Sequence, residues 1–233
     1  LSFSPGSWTM KVKHLEAMLS DVAPFAKPKV MLEQYPTSAH IASHILFTAQ
    51  EQFQDIANRT VVDLGTGTGM LAIGASLMGA AHVVGVDIDD DALAIAAENV
   101  EENFEDVRPD GPLDLLRCDV RDVSRLRLHA DTVLMNPPFG TKRAGADMEF
   151  VRSALLGISF PPRGGAVYSL HKTSTRKHVG EVARRDLGAL RADVVAELRY
   201  DLPKTYRFHK KESVDVSVDV WRFVVKGGAR DDE

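Results

Sequence analysis

Short apolar runs alternate along this chain with longer stretches of helical periodicity. Val61-Val62-Asp63-Leu64, Val83-Val84-Gly85-Val86, Leu113 to Cys118, Asp131 to Met135 and Ala166 to Leu170 read as strands. Helical patterns lie between or after them, over Gly69 to Met78, Asp89 to Asn103, Asp147 to Leu156 and Ser174 to Leu187. In the second of these, Ala92, Leu93, Ile95 and Ala96 form one apolar face. Two further helices are predicted ahead of the first strand, Lys11 to Leu19 and Thr37 to Phe53. The longer one has Ile41, Ile45, Leu46 and Ala49 on one side and Thr37 as its N-cap. The end of the chain breaks the alternation: Asp193 to Leu198 and Val214 to Val225 are strands with no helix between them. In the last strand Val214, Val216, Val218 and Val220 alternate with Asp215, Ser217 and Asp219, which predicts one polar face.

Strand–helix alternation implies a parallel, doubly wound α/β sheet, and a closing strand pair implies an antiparallel hairpin at its edge. The expected fold is a seven-stranded, mostly parallel Rossmann-like sheet with helices on both faces, of the class I methyltransferase kind. Residues 10–226 are expected to form a single domain with an N-terminal helical segment over 10–55, and 227–233 a polar tail. Residues 1–9 read as an expression remnant or a frayed extension before a natural start at Met10. The 233 residues carry a formal net charge of −5, so nucleic acid would have to be held by local basic patches rather than by bulk charge. The single Cys118 excludes an internal disulfide and a cysteine-based zinc cluster, and it fits a reducing, intracellular compartment. No apolar run approaches the length of a membrane span, and no set of metal ligands is expected.

The candidate chemistry sits at strand ends. Asp63-Leu64-Gly65-Thr66-Gly67-Thr68-Gly69 joins the first strand to its helix, and its glycines let backbone approach a ligand where a Cβ would clash. Gly67-x-Gly69-x-x-Ala72 also satisfies a dinucleotide fingerprint, so a nicotinamide-dependent enzyme competes. Gly65 at the strand end and Asp63 ahead of the glycines favour a methyltransferase. Asp87, closing the second strand, is placed either to accept from ribose hydroxyls or to cap the helix after Ile88. Asp119, after the third, is placed to accept from an adenine amine, with the backbone at Val120 beside it, or to cap locally. Asn136-Pro137-Pro138-Phe139 follows the fourth strand. An amide side chain, a stiff row of carbonyls and a ring suit the grip of a planar amine, although a Pro-Pro turn with a buried Phe would read the same way.

With these pieces in this order, the chain resembles the eukaryotic 18S ribosomal RNA N6-adenine methyltransferases of the methyltransferase-like group. The likeness runs from about Met10 to Val225. It is carried by Leu32-Glu33-Gln34-Tyr35-Pro36-Thr37, by Asn136-Pro137-Pro138-Phe139-Gly140-Thr141-Lys142 and by Tyr168-Ser169-Leu170-His171-Lys172. It is carried also by Ala196 to Pro203, running into Phe208-His209-Lys210-Lys211. The resemblance implies S-adenosyl-L-methionine as cofactor, touched by Gln34, Thr37, Gly65, Thr68, Met70, Asp87, Asp119 and Val120, with Asp63, Gly69, Ile88 and Asn136 beside them. It implies a catalytic loop of Asn136, Pro137, Pro138 and Phe139. Asn136 Oδ1 and the Pro137 carbonyl would accept from the adenine amine and Phe139 would stack on its ring, with no general base. It implies a heterodimer with a small zinc-containing activator subunit, which the apolar edge strand around Leu113 to Cys118 would suit. It implies nuclear, nucleolar and cytoplasmic localisation.

Basic residues near the expected mouth suit ribosomal RNA: Lys142, Arg143, Lys172, Arg176, Lys204, Arg207, Lys210 and Lys211. The ordinary reading of such runs is a solvated surface. Two loops, Val107 to Pro112 and Gly157 to Gly165, look expanded relative to the family. Two rivals stand beside this reading. A protein glutamine methyltransferase uses a similar loop, usually with Tyr in the fourth place; a non-catalytic RNA-binding scaffold would keep only the fold.

Overall fold

A computed structural model describes residues 10–104, 113–203 and 213–227. Five strands follow the predicted apolar runs: β1 Thr60–Leu64, β2 His82–Asp87, β3 Leu113–Arg117, β4 Thr132–Met135 and β5 Gly165–Lys172. They pair in parallel, and β6 Arg191–Pro203 and β7 Ser213–Val225 close the sheet in antiparallel fashion. The seven strands lie in the order β3-β2-β1-β4-β5-β7-β6, which places β3 at one edge and seats the last strand inside the sheet.

The helices are α1 Val12–Leu19, α2 Ala39–Phe53, α3 Met70–Leu77, α4 Asp90–Phe104, α5 Ala146–Gly157 and α6 Arg176–Arg185. One core face packs α1, α2 and α3 against the sheet through Leu15, Leu19, Ile41, Ile45 and Leu46. The opposite face packs α5 and α6 through Val151, Leu155, Val179 and Ala183, with Trp221 and Phe223 of β7. Because both faces are covered, β1 and β4 are buried almost throughout and mostly apolar, with Asp63 and Thr132 the buried polar residues among them. Among the described residues, no helix is long and apolar enough to cross a membrane.

Three expectations change. α2 starts at Ala39 because Ser38, not Thr37, is its N-cap, its hydroxyl accepting from Ile41 N–H at 3.3 Å. β6 runs well beyond Asp193 to Leu198 because twelve register pairs to β7 carry it on past a bulge at Val194/Ala196. The polar face expected for β7 is not uniformly wet. Asp219 is fully buried, accepting from Arg176 Nε and Nη2 at 2.7 Å each and from Thr173 Oγ1 at 2.8 Å. Flanking elements, which strand periodicity does not encode, supply the cation that lets this carboxylate go inside. The expanded loop ahead of β5 is present as a turn closed by Gly164 N–H to the Pro161 carbonyl at 2.7 Å. The stretch 107–112 lies outside the described residues.

Candidate active site

The carboxyl ends of β1, β2, β3 and β4 open into one cavity of about 340 Å³. Its floor is the loop Gly65-Thr66-Gly67-Thr68. Gly65 and Gly67 take φ of 73° and 56°, where side chains are strained. A Cβ on Gly65 would lie 2.8 Å from the Phe150 ring, and one on Gly67 2.8 Å from the Phe25 ring. The glycines are therefore required by space as well as by backbone angle.

Asp87 is wired to this loop. Its Oδ2 accepts from Gly67 N–H at 2.8 Å and its Oδ1 from Asp89 N–H at 2.9 Å. Asp87 thus closes a turn ahead of α4, whereas the helix itself is capped by Asp89, which accepts from Asp91 N–H at 3.2 Å. Each Asp87 oxygen still has a second lone pair, and the carboxylate lines the cavity, so the ribose-binding alternative stays available. Burial pushes the Asp87 carboxyl above its usual range, opposed by these backbone donors. Asp119 also caps, accepting from Arg121 N–H at 3.0 Å, and Arg121 Nε reaches both its oxygens at 3.0 and 3.1 Å. The guanidinium holds the Asp119 carboxyl below the usual range.

A strap formed by residues 23–37 crosses the cavity mouth. Asn99 holds its start, accepting from Ala23 N–H at 2.8 Å and donating to the Thr68 carbonyl at 2.9 Å. Asp89 holds its middle, accepting from Gln34 Nε2 at 2.7 Å and pairing with Lys29. Glu33 holds its end, with φ of 51° and a buried carboxylate. Its Oε2 accepts from Thr141 Oγ1 and its Oε1 from Lys142 N–H, both at 2.8 Å. Thr37 Oγ1 accepts from Asn136 Nδ2 at 2.9 Å. That bond turns the amide so that its oxygen is the edge left to accept a donor in the cavity. The strap therefore touches the β2–α4 junction and the loop after β4 together.

Of the residues singled out from sequence, Gln34, Thr37, Gly65, Thr68, Met70, Asp87, Ile88, Asp119, Val120, Asn136 and Pro138 line this one cavity. Asp63 does not. It is buried beneath the loop, where Oδ2 accepts from Thr66 Oγ1 at 2.7 Å and Ala72 N–H at 3.0 Å while Oδ1 has no partner among the described residues. Burial pushes its carboxyl up to about 7. Gly69 is likewise behind the wall, as the N-cap of α3, where an added Cβ would press on Ile73 and Ala96. Pro137 is buried, and Phe139 packs partly against the core with Lys172 Nζ 5.7 Å from its ring centroid.

The basic residues divide. Arg143 lines the cavity and pairs with Glu149. Lys142 follows the catalytic loop and Lys172 covers Phe139. Arg176, its side chain 39% exposed, pairs with buried Asp219 and with Glu197. Lys204, Arg207, Lys210 and Lys211 lie outside the described residues. Sequence reasoning missed Glu33, Arg121, Tyr35 and the two Phe rings against the glycines. Only Glu33 and Tyr35 carried a signal, as part of the stretch around Gln34.

The sheet order and the strand-end cavity define a class I methyltransferase fold. A family model described as ribosomal protein L11 methyltransferase (PrmA) matches residues 35–136. The zebrafish (Danio rerio) rRNA N(6)-adenosine-methyltransferase METTL5 is 50% identical over 216 residues, covering 92% of this chain and 99% of its own. The Drosophila melanogaster rRNA N(6)-adenosine-methyltransferase Mettl5 is 45% identical, covering 93% and 97%. A crystal structure of PH1948 from Pyrococcus horikoshii superposes with a TM-score of 0.76 at 32% identity, over 95% of this chain and 100% of that one. The chain belongs to the METTL5 family of rRNA N6-adenosine methyltransferases.

Proposed function

We propose that this chain transfers a methyl group from S-adenosyl-L-methionine to N6 of an adenine in 18S ribosomal RNA, working with a small zinc-binding activator subunit. The observation that carries the reading is the Asn136 amide, oriented by Thr37 so that Oδ1 presents to the cavity. The cofactor fits the donor set: a cradle that a Cβ at Gly65 or Gly67 would fill, and a carboxylate at Asp87 with lone pairs to spare. When bound, it supplies an electrophilic methyl group on a sulfonium. Gly65, Gly67 and Asp87 would hold it at one end, and Gln34, Thr37 and Asp119 would line its remaining length.

Asn136 Oδ1 would accept one N–H of the target amine, and a carbonyl of the adjoining prolines the other. Drawing both protons aside localises the nitrogen lone pair, which is otherwise spread into the purine ring. Most of the catalysis is therefore placement of that lone pair in line with the methyl group. Phe139, capped by Lys172, would offer its ring to the base. A base must leave its stack to reach such a cavity, so the target would be a looped or flipped nucleotide. Asn136→Ala should lose turnover by about two to three orders of magnitude, as when a transition-state donor is removed elsewhere, while cofactor binding by calorimetry stays near wild type. Normal methylation by this variant would overturn the assignment.

The rival, methylation of a protein glutamine, draws on the L11 methyltransferase match. That match ends at residue 136, so it covers the cofactor half and leaves out Phe139 and the acceptor side. Labelled methyl transfer to purified ribosomal RNA against ribosomal protein separates the two, and mapping the modified base identifies the target. The activator would add to β3, an edge strand of half-buried leucines and exposed Asp114 and Arg117 with, among the described residues, one strand neighbour. Transfer measured with and without it tests that arm. The proposed compartments are nucleus, nucleolus and cytoplasm, which microscopy of the tagged protein would check.

A further inference from the structure

Far along the N-terminal helices from the glycine loop, α1 and α2 bring three ligating side chains together. His40 and His44 lie one turn apart on α2, with ring centroids 4.4 Å apart. Glu16 reaches across from α1, its Oε1 3.2 Å from His40 Nδ1. One ligand atom from each of the three lies within 4.8 Å of the others. The sequence spacing hides this set, because Glu16 is 24 residues from His40 and on another helix.

We propose that Glu16, His40 and His44 form a site for one borderline divalent transition-metal ion, of the zinc, cobalt or nickel kind. The chemistry of the set points there. Two imidazoles and one carboxylate suit borderline ions, whereas magnesium and calcium prefer oxygen ligands throughout. A histidine pair at i and i+4 on a rigid helix is held in chelating register before any ion arrives. His40 is largely exposed, which leaves an entry path and room for water at the remaining coordination positions. An ordinary surface ion pair accounts for Glu16 with His40 alone. It gives no reason for a second imidazole lying tilted against the first.

The ion would staple α1 to α2. α2 begins two residues after Thr37, which orients Asn136, so the staple would steady the segment that feeds the proposed catalytic loop. The geometry stands whether or not the proposed methyl transfer is correct, and its test needs no RNA.

The experiment is titration of the full chain, freed of any polyhistidine tag, with zinc chloride by calorimetry and with cobalt(II) chloride by visible absorption. One saturable site of micromolar affinity is expected, with an unfolding temperature that rises on zinc addition. His40→Ala and His44→Ala should each weaken binding by about an order of magnitude or more, and Glu16→Gln by less, with metal-free unfolding temperatures unchanged. Because Glu16 is partly exposed and Gln is isosteric, that variant keeps the test alive if a histidine variant folds poorly. Absence of saturable binding would overturn the proposal. So would undiminished binding in the His40→Ala/His44→Ala double variant, or a sulfur-to-cobalt charge-transfer band, which would place the ion on Cys118.

Discussion

Replacing Glu33 by Ala should disable methyl transfer without emptying the cofactor site. The buried carboxylate takes two hydrogen bonds of 2.8 Å, from Thr141 Oγ1 and from Lys142 N–H, and so fixes the exit of the catalytic loop. Bonds to a charged acceptor contribute about 1.5 kcal/mol each, and the stranded Lys142 N–H adds to the loss, so about 3 kcal/mol falls on the ordered loop. At about 1.36 kcal/mol per tenfold, that is about a hundredfold in kcat if the ordered loop is what reacts. Cofactor affinity should move far less, because the glycine loop, Asp87 and the Gln34–Asp89 bond remain. Single-turnover transfer to ribosomal RNA measures the first quantity and calorimetry the second. Hydrogen exchange over 139–145 reports the loop directly. Glu33→Gln, which can accept at only one side-chain atom, should fall between. A kcat within a factor of about three of wild type, or a loss confined to cofactor affinity, would refute the reasoning.

Three other outcomes follow from the same structure. Thr37→Val removes the hydroxyl that orients Asn136, and kcat should drop by about tenfold for one hydrogen bond of about 1–1.5 kcal/mol, measured in the same single-turnover assay. Asp63 rises from 3.8 to about 7 on folding, so the folded protein holds that proton more tightly than the unfolded chain. Its contribution to stability is full below about pH 4 and falls as pH climbs to about 7, by about 4 kcal/mol at about 1.36 per unit. Asp63→Asn should flatten that part of the pH profile in urea unfolding; an unchanged slope would show that the carboxyl is not strained. Arg176→Ala strands the buried Asp219 carboxylate and should cost about 3 kcal/mol in urea unfolding, whereas Asp219→Ala leaves a guanidinium that can turn to water and should cost less. Equal losses, or a loss in RNA binding alone, would show that the Asp219 pair is not what Arg176 contributes.

The sheet was legible because burial on both faces writes itself as runs of Val, Ile and Leu, and because a missing crossover helix marks an antiparallel pair. Strand ends were legible for the same reason: Gly65 to Gly69, Asp87, Asp119 and Asn136 each follow an apolar run. The strap was not. Residues 23–37 have no period, and their positions depend on single bonds from Ala23, Gln34 and Glu33 to Asn99, Asp89, Thr141 and Lys142, between 55 and 109 residues away. Thr37 was placed on the right segment with the wrong local partner, since Ser38 caps α2 and Thr37 serves Asn136. Asp63 was read as a ligand because it precedes the glycines, but it faces inward and braces them. Asp219 looked solvent-facing because alternation describes one strand, while its partner comes from α6.

The place of β7 between β5 and β6 bears on how the chain is made. As synthesis proceeds, β5 can join β4, but β6 emerges with no strand to join, since the one that bridges β5 and β6 is spelled last. Trp221 and Phe223, which fill the core beneath α6, arrive with it. The first five strands can assemble the cofactor half while the ribosome is still working, but the other half must wait for the final strand. Loss of the chain from Ser213 onward would therefore remove an interior plank of the sheet rather than trim its rim.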